Sequence, residues 1–80
     1  MTAELVLYTR KDCCLCDEMK RVIHSVSARV PIALNEVDVD ESEELAREFG
    51  NDVPVLFING RKAFKHRATE KELQRKLQRA

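Results

Sequence analysis

Three cysteines stand within four positions near the start of the chain, and their thiols are its most reactive side chains. They are Cys13, Cys14 and Cys16, in the segment DCCLCDE. Two thiols at the spacing Cys-x-x-Cys can exchange with a substrate disulfide, because one attacks and the other resolves the mixed disulfide. The same spacing also occurs in zinc sites and structural disulfides, so the choice among these uses depends on the rest of the sequence.

A structural disulfide or a zinc site has less support than redox exchange. An odd number of cysteines is not typical of a secreted disulfide scaffold, and a bridge between Cys13 and Cys16 would contribute only about 2 kcal/mol. Zinc normally takes four ligands, but His24 lies about two helical turns beyond Cys16, and His66 is far away in sequence. We therefore expect no bound metal and no tightly bound cofactor.

The pattern of apolar residues predicts the elements that hold these cysteines. The run ELVLYT, residues 4–9, predicts a strand buried on both faces. A helix should follow from about position 14, with one apolar face formed by Leu15, Met19, Val22, Ile23 and Val26. Cys13 would then lie at the helix N-terminus, where free amides, the helix dipole, Arg10 and Lys11 favour its thiolate. We expect a lowered pKa for Cys13, although acidic residues at positions 12, 17 and 18 oppose it.

The rest of the chain predicts an α/β fold in the order β-α-β-α-β-β-α. A strand is predicted in IALNEVDVD, and a short helix begins at Ser42 and ends at Gly50. Residues 55–58 and 61–66 read as a hairpin around Asn59-Gly60, and the last helix opens with the capping box Thr69-x-x-Glu72. We expect a four-stranded mixed sheet with helices on both faces, in a single domain over residues 1–80.

The overall composition excludes several classes of function. Fourteen basic side chains balance fourteen acidic ones, so no net field favours nucleic acid or an anionic membrane. No apolar run has the length of a membrane span, and the start MTAELVLYTR lacks the features of a secretory signal. We expect a cytoplasmic protein, monomeric, that binds neither nucleic acid nor membrane.

The segment LYTRKDCCLCDEMKRVI, with NDVPVLFING downstream, resembles the glutaredoxin-like and thioredoxin-like small redox proteins, particularly bacterial ones with a C-x-L-C-D-E type site. The resemblance runs from Leu5 to about Leu77. It implies the thioredoxin fold, with strand order 2-1-3-4, and a redox-active disulfide in a thiol-disulfide oxidoreductase of electron transport. Cys13 would be the nucleophile and Cys16 the resolving thiol, acting on protein or glutathione disulfides and restored by a reductase.

The resemblance also assigns a substrate-binding set. Pro54 would be a cis-proline facing the cysteines, and backbone groups of Val53 would pair with an extended substrate or with glutathione. Arg10 stands where glutaredoxins carry a basic residue that contacts a glutathione carboxylate; a solvated surface residue is the alternative. Glutathione is thus a candidate co-substrate.

Three departures from the family pattern bear on specificity. The pair between the two outer cysteines is Cys14-Leu15, which differs from the Pro-Tyr of glutaredoxins and the Gly-Pro of thioredoxins. The segment AFKHRATEKE replaces the Gly-Gly and acidic residue with which glutaredoxins bind glutathione. Leu7 replaces the buried aspartate of thioredoxins. In the substituted segment, Lys65, His66 and Arg67 read either as a second basic edge of the site or as a charged edge strand. With Lys11 and Cys14 they form the auxiliary set.

Two alternatives to the enzyme stay open. One is a metal or iron-sulfur carrier that uses Cys13 and Cys16, with Cys14 as a third ligand, completed by glutathione or a second chain. The other is a binding module that keeps the fold without turnover. Cys14 reads as a helix-start residue or as an alternate resolving thiol.

Overall fold

Four strands and three α-helices follow one another through residues 2–79, which the computed structural model describes. They are β1 (Ala3–Thr9), α1 (Cys14–Ser27), β2 (Ile32–Asp38), α2 (Glu43–Phe49), β3 (Val55–Ile58), β4 (Arg61–Lys65) and α3 (Glu70–Arg79). A short 3₁₀ turn, Val39–Glu41, joins β2 to α2. The predicted order of elements is confirmed, and α1 begins at Cys14.

The sheet has the order β2-β1-β3-β4, with β1 and β3 as its two central strands. β1 pairs in parallel with β2 and antiparallel with β3, and β3 pairs antiparallel with β4. The crossover through α1 makes the first pair parallel, whereas the hairpin makes the last pair antiparallel. This topology is the thioredoxin fold, and it places the end of β1 and the start of β3 side by side.

Apolar residues on the two faces of the sheet form two separate clusters. The larger cluster lies between the sheet and the pair α1 and α3, and it consists of Leu5, Leu7, Met19, Ile23, Val26, Leu56, Ile58, Leu73 and Leu77. The smaller one, Val39, Phe49 and Val55, lies against α2 on the other face, where Tyr8 stacks on Phe49 at a centroid distance of 4.3 Å. Helices therefore cover both faces, as predicted.

The predicted helix caps and the hairpin turn are formed. The hydroxyl of Ser42 accepts the backbone N–H of Leu45, which caps α2. Thr69 and Glu72 exchange two side-chain to backbone bonds, of 3.0 and 3.1 Å, in a complete capping box before α3. Asn59 and Gly60 both have positive φ, 48° and 85°, as a type I′ turn requires.

Three local predictions were wrong. β1 is not buried on both faces: Val6 and Tyr8 stay half-exposed, because the short α2 covers only part of that face. Val39 lies in the 3₁₀ turn rather than in a strand, since it turns inward to the smaller cluster. β4 ends at Lys65, one residue early, because His66 has φ of 69° and leaves the strand.

Among residues 2–79 no helix combines the length and the apolar character needed to cross a membrane.

Candidate redox site

The turn between β1 and α1 places Cys13 at the N-cap of the helix. Asp12 adopts a left-handed backbone, with φ of 55°, and Cys13 returns to an extended one, with φ of −114°. The Cys13 Sγ atom accepts the backbone N–H of Cys16 at 3.1 Å. Sulfur thus takes the capping role that a serine or aspartate oxygen usually has, and the free amides of the first turn favour a thiolate there.

Cys13 and Cys16 are joined by a disulfide, with their Cα atoms 5.2 Å apart. Their exposure differs: Cys13 is half-exposed, whereas Cys16 is 1% exposed. A substrate sulfur can therefore reach Cys13 but not Cys16. The remaining thiol, Cys14, is exposed and lies outside the bridge.

The second part of the site is the loop that leads into β3. The Val53-Pro54 peptide bond is cis; Pro54 is buried and Val53 half-buried. The backbone N–H of His66 donates to the carbonyl of Pro54 at 2.8 Å, which fixes the end of β4 to this loop. His66 lies twelve positions after Pro54 in the sequence, and the pairing of the strands brings it next to this loop.

Arg10 donates three hydrogen bonds to other groups of the protein. Its Nε donates to Asp40 Oδ2 and its Nη2 to Asp40 Oδ1, both at 3.0 Å, while Nη1 donates to the carbonyl of Gly50 at 3.1 Å. The hydrogen bond and the charge of Asp40 raise the pKa of Arg10 above its ordinary value. The guanidinium therefore stays charged and joins the cysteine loop to the C-cap of α2.

The basic residues predicted near the site divide between two grooves. Arg10 and Lys11 line a groove beside Glu41, on the side of β2. His66 and Arg67 line a second groove, between the first turns of α1 and the start of α3, with Met19 at its apolar floor. Lys65 lies at 3.9 Å from Asp52 in a half-exposed ion pair.

The family model of the glutaredoxin-like domain (DUF836) matches residues 4–78. The chain belongs to the glutaredoxin-like family. A glutaredoxin-like protein of Dictyostelium discoideum is 35% identical over 72 residues, which span 82% of this chain and 67% of that protein.

Several solved structures match most of the chain. A structural-genomics target protein from X. campestris is 31% identical, with a TM-score of 0.82 over 95% of this chain and 97% of that chain. Desulfothioredoxin from Desulfovibrio vulgaris Hildenborough, in its reduced form, is 28% identical, with a TM-score of 0.74 over 100% of this chain and 83% of that chain. The resemblance seen in the sequence is confirmed, and membership of this family together with the cysteine pair indicates a redox function.

Within residues 2–79, no group of three or more His, Cys, Asp or Glu side chains is arranged to hold a metal ion. His24 is exposed on α1, and His66 lies in the groove beside α3.

Sequence reasoning missed two partners of the site. Asp40 carried no signal in the sequence, because it stands thirty positions from Arg10 and meets it only through the parallel pairing of β1 and β2. Gly50 was predicted as the end of a helix, which it is, but its carbonyl also binds Arg10. A search for acidic residues just after the strand paired with β1 would have indicated Asp40.

Proposed function

We propose that this glutaredoxin-like protein is a thiol-disulfide oxidoreductase, with Cys13 as the nucleophile and Cys16 as the resolving thiol. The observation that carries this proposal is the unequal exposure of two bonded cysteines. Cys13 is half-exposed at a helix N-terminus. Cys16 is buried one turn behind it, and its sulfur is bonded to the sulfur of Cys13. Exchange through a mixed disulfide needs an accessible thiolate that attacks and a second thiol within reach that resolves the intermediate.

The reaction transfers two electrons from the protein to the substrate. The Cys13 thiolate attacks one sulfur of the substrate disulfide, and the other sulfur leaves as a thiolate. The Cys16 thiol loses its proton and attacks Cys13 Sγ, which breaks the mixed disulfide and releases the second substrate thiolate. The products are a substrate dithiol and the Cys13–Cys16 disulfide, which an external reductant then reduces.

The protein groups around Cys13 assist the first step. The backbone N–H of Cys16 points at Cys13 Sγ, and donation to a thiolate is stronger than donation to a neutral sulfur. The helix dipole acts in the same direction. Because the attacking species is the thiolate, both effects increase the fraction of Cys13 that can react near neutral pH.

We further propose that the substrates are protein disulfides or glutathione disulfide, bound in extended form along Val53 and Pro54. The reductant would be glutathione or a dedicated reductase, and the protein would work as a monomer in the cytoplasm without a tightly bound cofactor. The strand pairing supports the position of the substrate segment, since Val55, directly after Pro54, pairs with Tyr8 near the end of the strand that leads to Cys13.

The test is reduction of a protein disulfide by the purified protein, with either glutathione and its reductase or thioredoxin reductase as the electron source. Cys13→Ser should abolish activity with either source, and activity retained in Cys13→Ser would show that another residue is the nucleophile. The reduction potential of the Cys13–Cys16 couple then shows whether the protein reduces or oxidises its substrates, because roughly 30 mV corresponds to tenfold in the equilibrium constant of exchange.

The same preparation distinguishes the alternatives. Metal analysis and a visible spectrum of anaerobically purified protein would reveal a metal or cluster carrier. A disulfide that forms and breaks without any turnover of substrate would identify a binding module.

A further inference from the structure

Three of the five N–H donors of Arg10, including the edge formed by Nε and Nη2, are already bound by the protein itself. Asp40 takes the Nε and Nη2 donors through both of its oxygens, and the carbonyl of Gly50 takes Nη1. Two parallel N–H···O bonds are the geometry by which arginine recognises carboxylates and phosphates. An anionic substrate that needed this edge would therefore have to displace Asp40.

The position of these contacts connects the two loops of the site. Arg10 lies three residues before Cys13, and Gly50 lies four residues before Pro54. A Cβ atom on residue 50 would come within 3.0 Å of Arg10 Nη2 and would also collide with the carbonyl of Ala46, so glycine permits the close approach. The guanidinium is held between the loops rather than directed toward a ligand.

The ion pair is nevertheless open to solvent. The side chains of Arg10 and Asp40 are 38% and 48% exposed, so a guanidinium released from Asp40 would remain accessible to a ligand. Removal of the Asp40 charge is therefore expected to change which anions Arg10 can bind. It would not leave a buried, unpaired guanidinium, because Arg10 is in contact with solvent.

We propose that Asp40 is a specificity-determining residue, which keeps Arg10 bound across the two loops and so prevents it from binding the carboxylates of anionic disulfides such as glutathione disulfide. The kinetic part of this inference rests on the proposed exchange activity, whereas the binding part does not. Disulfides in proteins, which need no such carboxylate contact, become the preferred substrates.

The binding test uses S-methylglutathione, a thioether that carries both carboxylates of glutathione and cannot exchange. Its affinity is measured by NMR titration of the folded protein. Asp40→Asn should tighten binding by up to about fivefold, which is the range for a solvent-exposed arginine-carboxylate pair. Glu41→Gln is the matched control: it removes the same charge from the same 3₁₀ turn, but Arg10 makes no hydrogen bond to Glu41 among the described contacts.

The kinetic test compares glutathione disulfide with the neutral 2-hydroxyethyl disulfide. In Asp40→Asn the KM for glutathione disulfide should fall while kcat changes little, and neither constant should change for the neutral disulfide. The double variant Arg10→Gln with Asp40→Asn should lose the gain. A merely structural role of Asp40 would instead affect both substrates alike.

Two results would overturn the inference. One is an equal effect of Asp40→Asn and Glu41→Gln, which would reflect net charge alone. The other is weaker binding of S-methylglutathione by the single variant Arg10→Gln, since Arg10 would then already bind the ligand; this variant decides the question even if Asp40→Asn does not fold. Wild-type protein that fails to reduce a protein disulfide would refute the proposed function but leave the binding result valid.

Discussion

Replacement of the buried Cys16 by serine tests the division of labour between the two thiols. The side chain is 1% exposed, so Cys16→Ser places a hydroxyl in an apolar position. A buried hydroxyl without a partner costs about 1–3 kcal/mol. A domain of 80 residues has a free energy of unfolding of about 4–12 kcal/mol, so the reduced variant should fold with a lower midpoint of denaturation.

The effect of Cys16→Ser on turnover should be far larger than its effect on stability. The Cα atoms of Cys13 and Cys16 are 5.2 Å apart, so resolution in the wild type is intramolecular. Well-oriented intramolecular reactions have effective molarities of about 10⁵ M or more, which no external thiol can match. We therefore expect reduction of a protein disulfide to fall at least about 100-fold, since an external thiol must then resolve the intermediate.

The assay follows both the rate and the intermediate. Reduction of a protein disulfide gives the rate, and mass spectrometry after acid quenching detects the substrate attached to Cys13. Cys14→Ser is the control, because this neighbouring thiol is exposed and outside the bridge, and the rate should stay at the wild-type value. If Cys16→Ser keeps the wild-type rate, or if Cys14→Ser accumulates the intermediate instead, the assignment of the resolving thiol is wrong.

Three further predictions concern stability and charge. Thr69→Ala removes the cap of α3 and should lower the free energy of unfolding by about 0.5–2 kcal/mol in urea denaturation, with Thr69→Ser largely restoring it. Leu73→Ala should cost about 2–5 kcal/mol in the same experiment, because Leu73 is 0% exposed between α3 and the sheet; a smaller loss would mean that α3 packs loosely. Replacing Lys65 and Arg67 together with Ala tests whether they form the second basic edge expected from the sequence: the pKa of the Cys13 thiol should rise, since cations near a thiol favour its thiolate. The ultraviolet absorbance of the thiolate against pH measures this, and an unchanged titration would identify both residues as a solvated edge.

The order of elements could be predicted because each element has its own local signal. The capping box at Thr69 satisfies free amides within one turn, and Asn59-Gly60 tolerates the positive φ of a tight turn. The apolar face of α1 needs only its own periodicity. The end of β4 could not be predicted in the same way: His66 leaves the strand where its N–H meets the carbonyl of Pro54, and that partner is set by the sheet.

The sequence by itself determined the reactive centre of this protein. Cys13 must cap α1 because a strand and an amphipathic helix meet beside it, and the helix period places Cys16 one turn behind on the buried face. Those are local consequences of spacing and periodicity, whereas the family resemblance also needed the distant segment NDVPVLFING.

Only the tertiary structure decided what the charges around that centre do. Arg10 is bound by Asp40 and Gly50, and Lys65 approaches Asp52, through pairings that depend on which strands lie side by side. The partners of Arg10 lie thirty and forty positions away in the chain, so no local pattern records them. An ion pair depends on distances of a few ångströms in space, and these are fixed only once the sheet brings distant loops together.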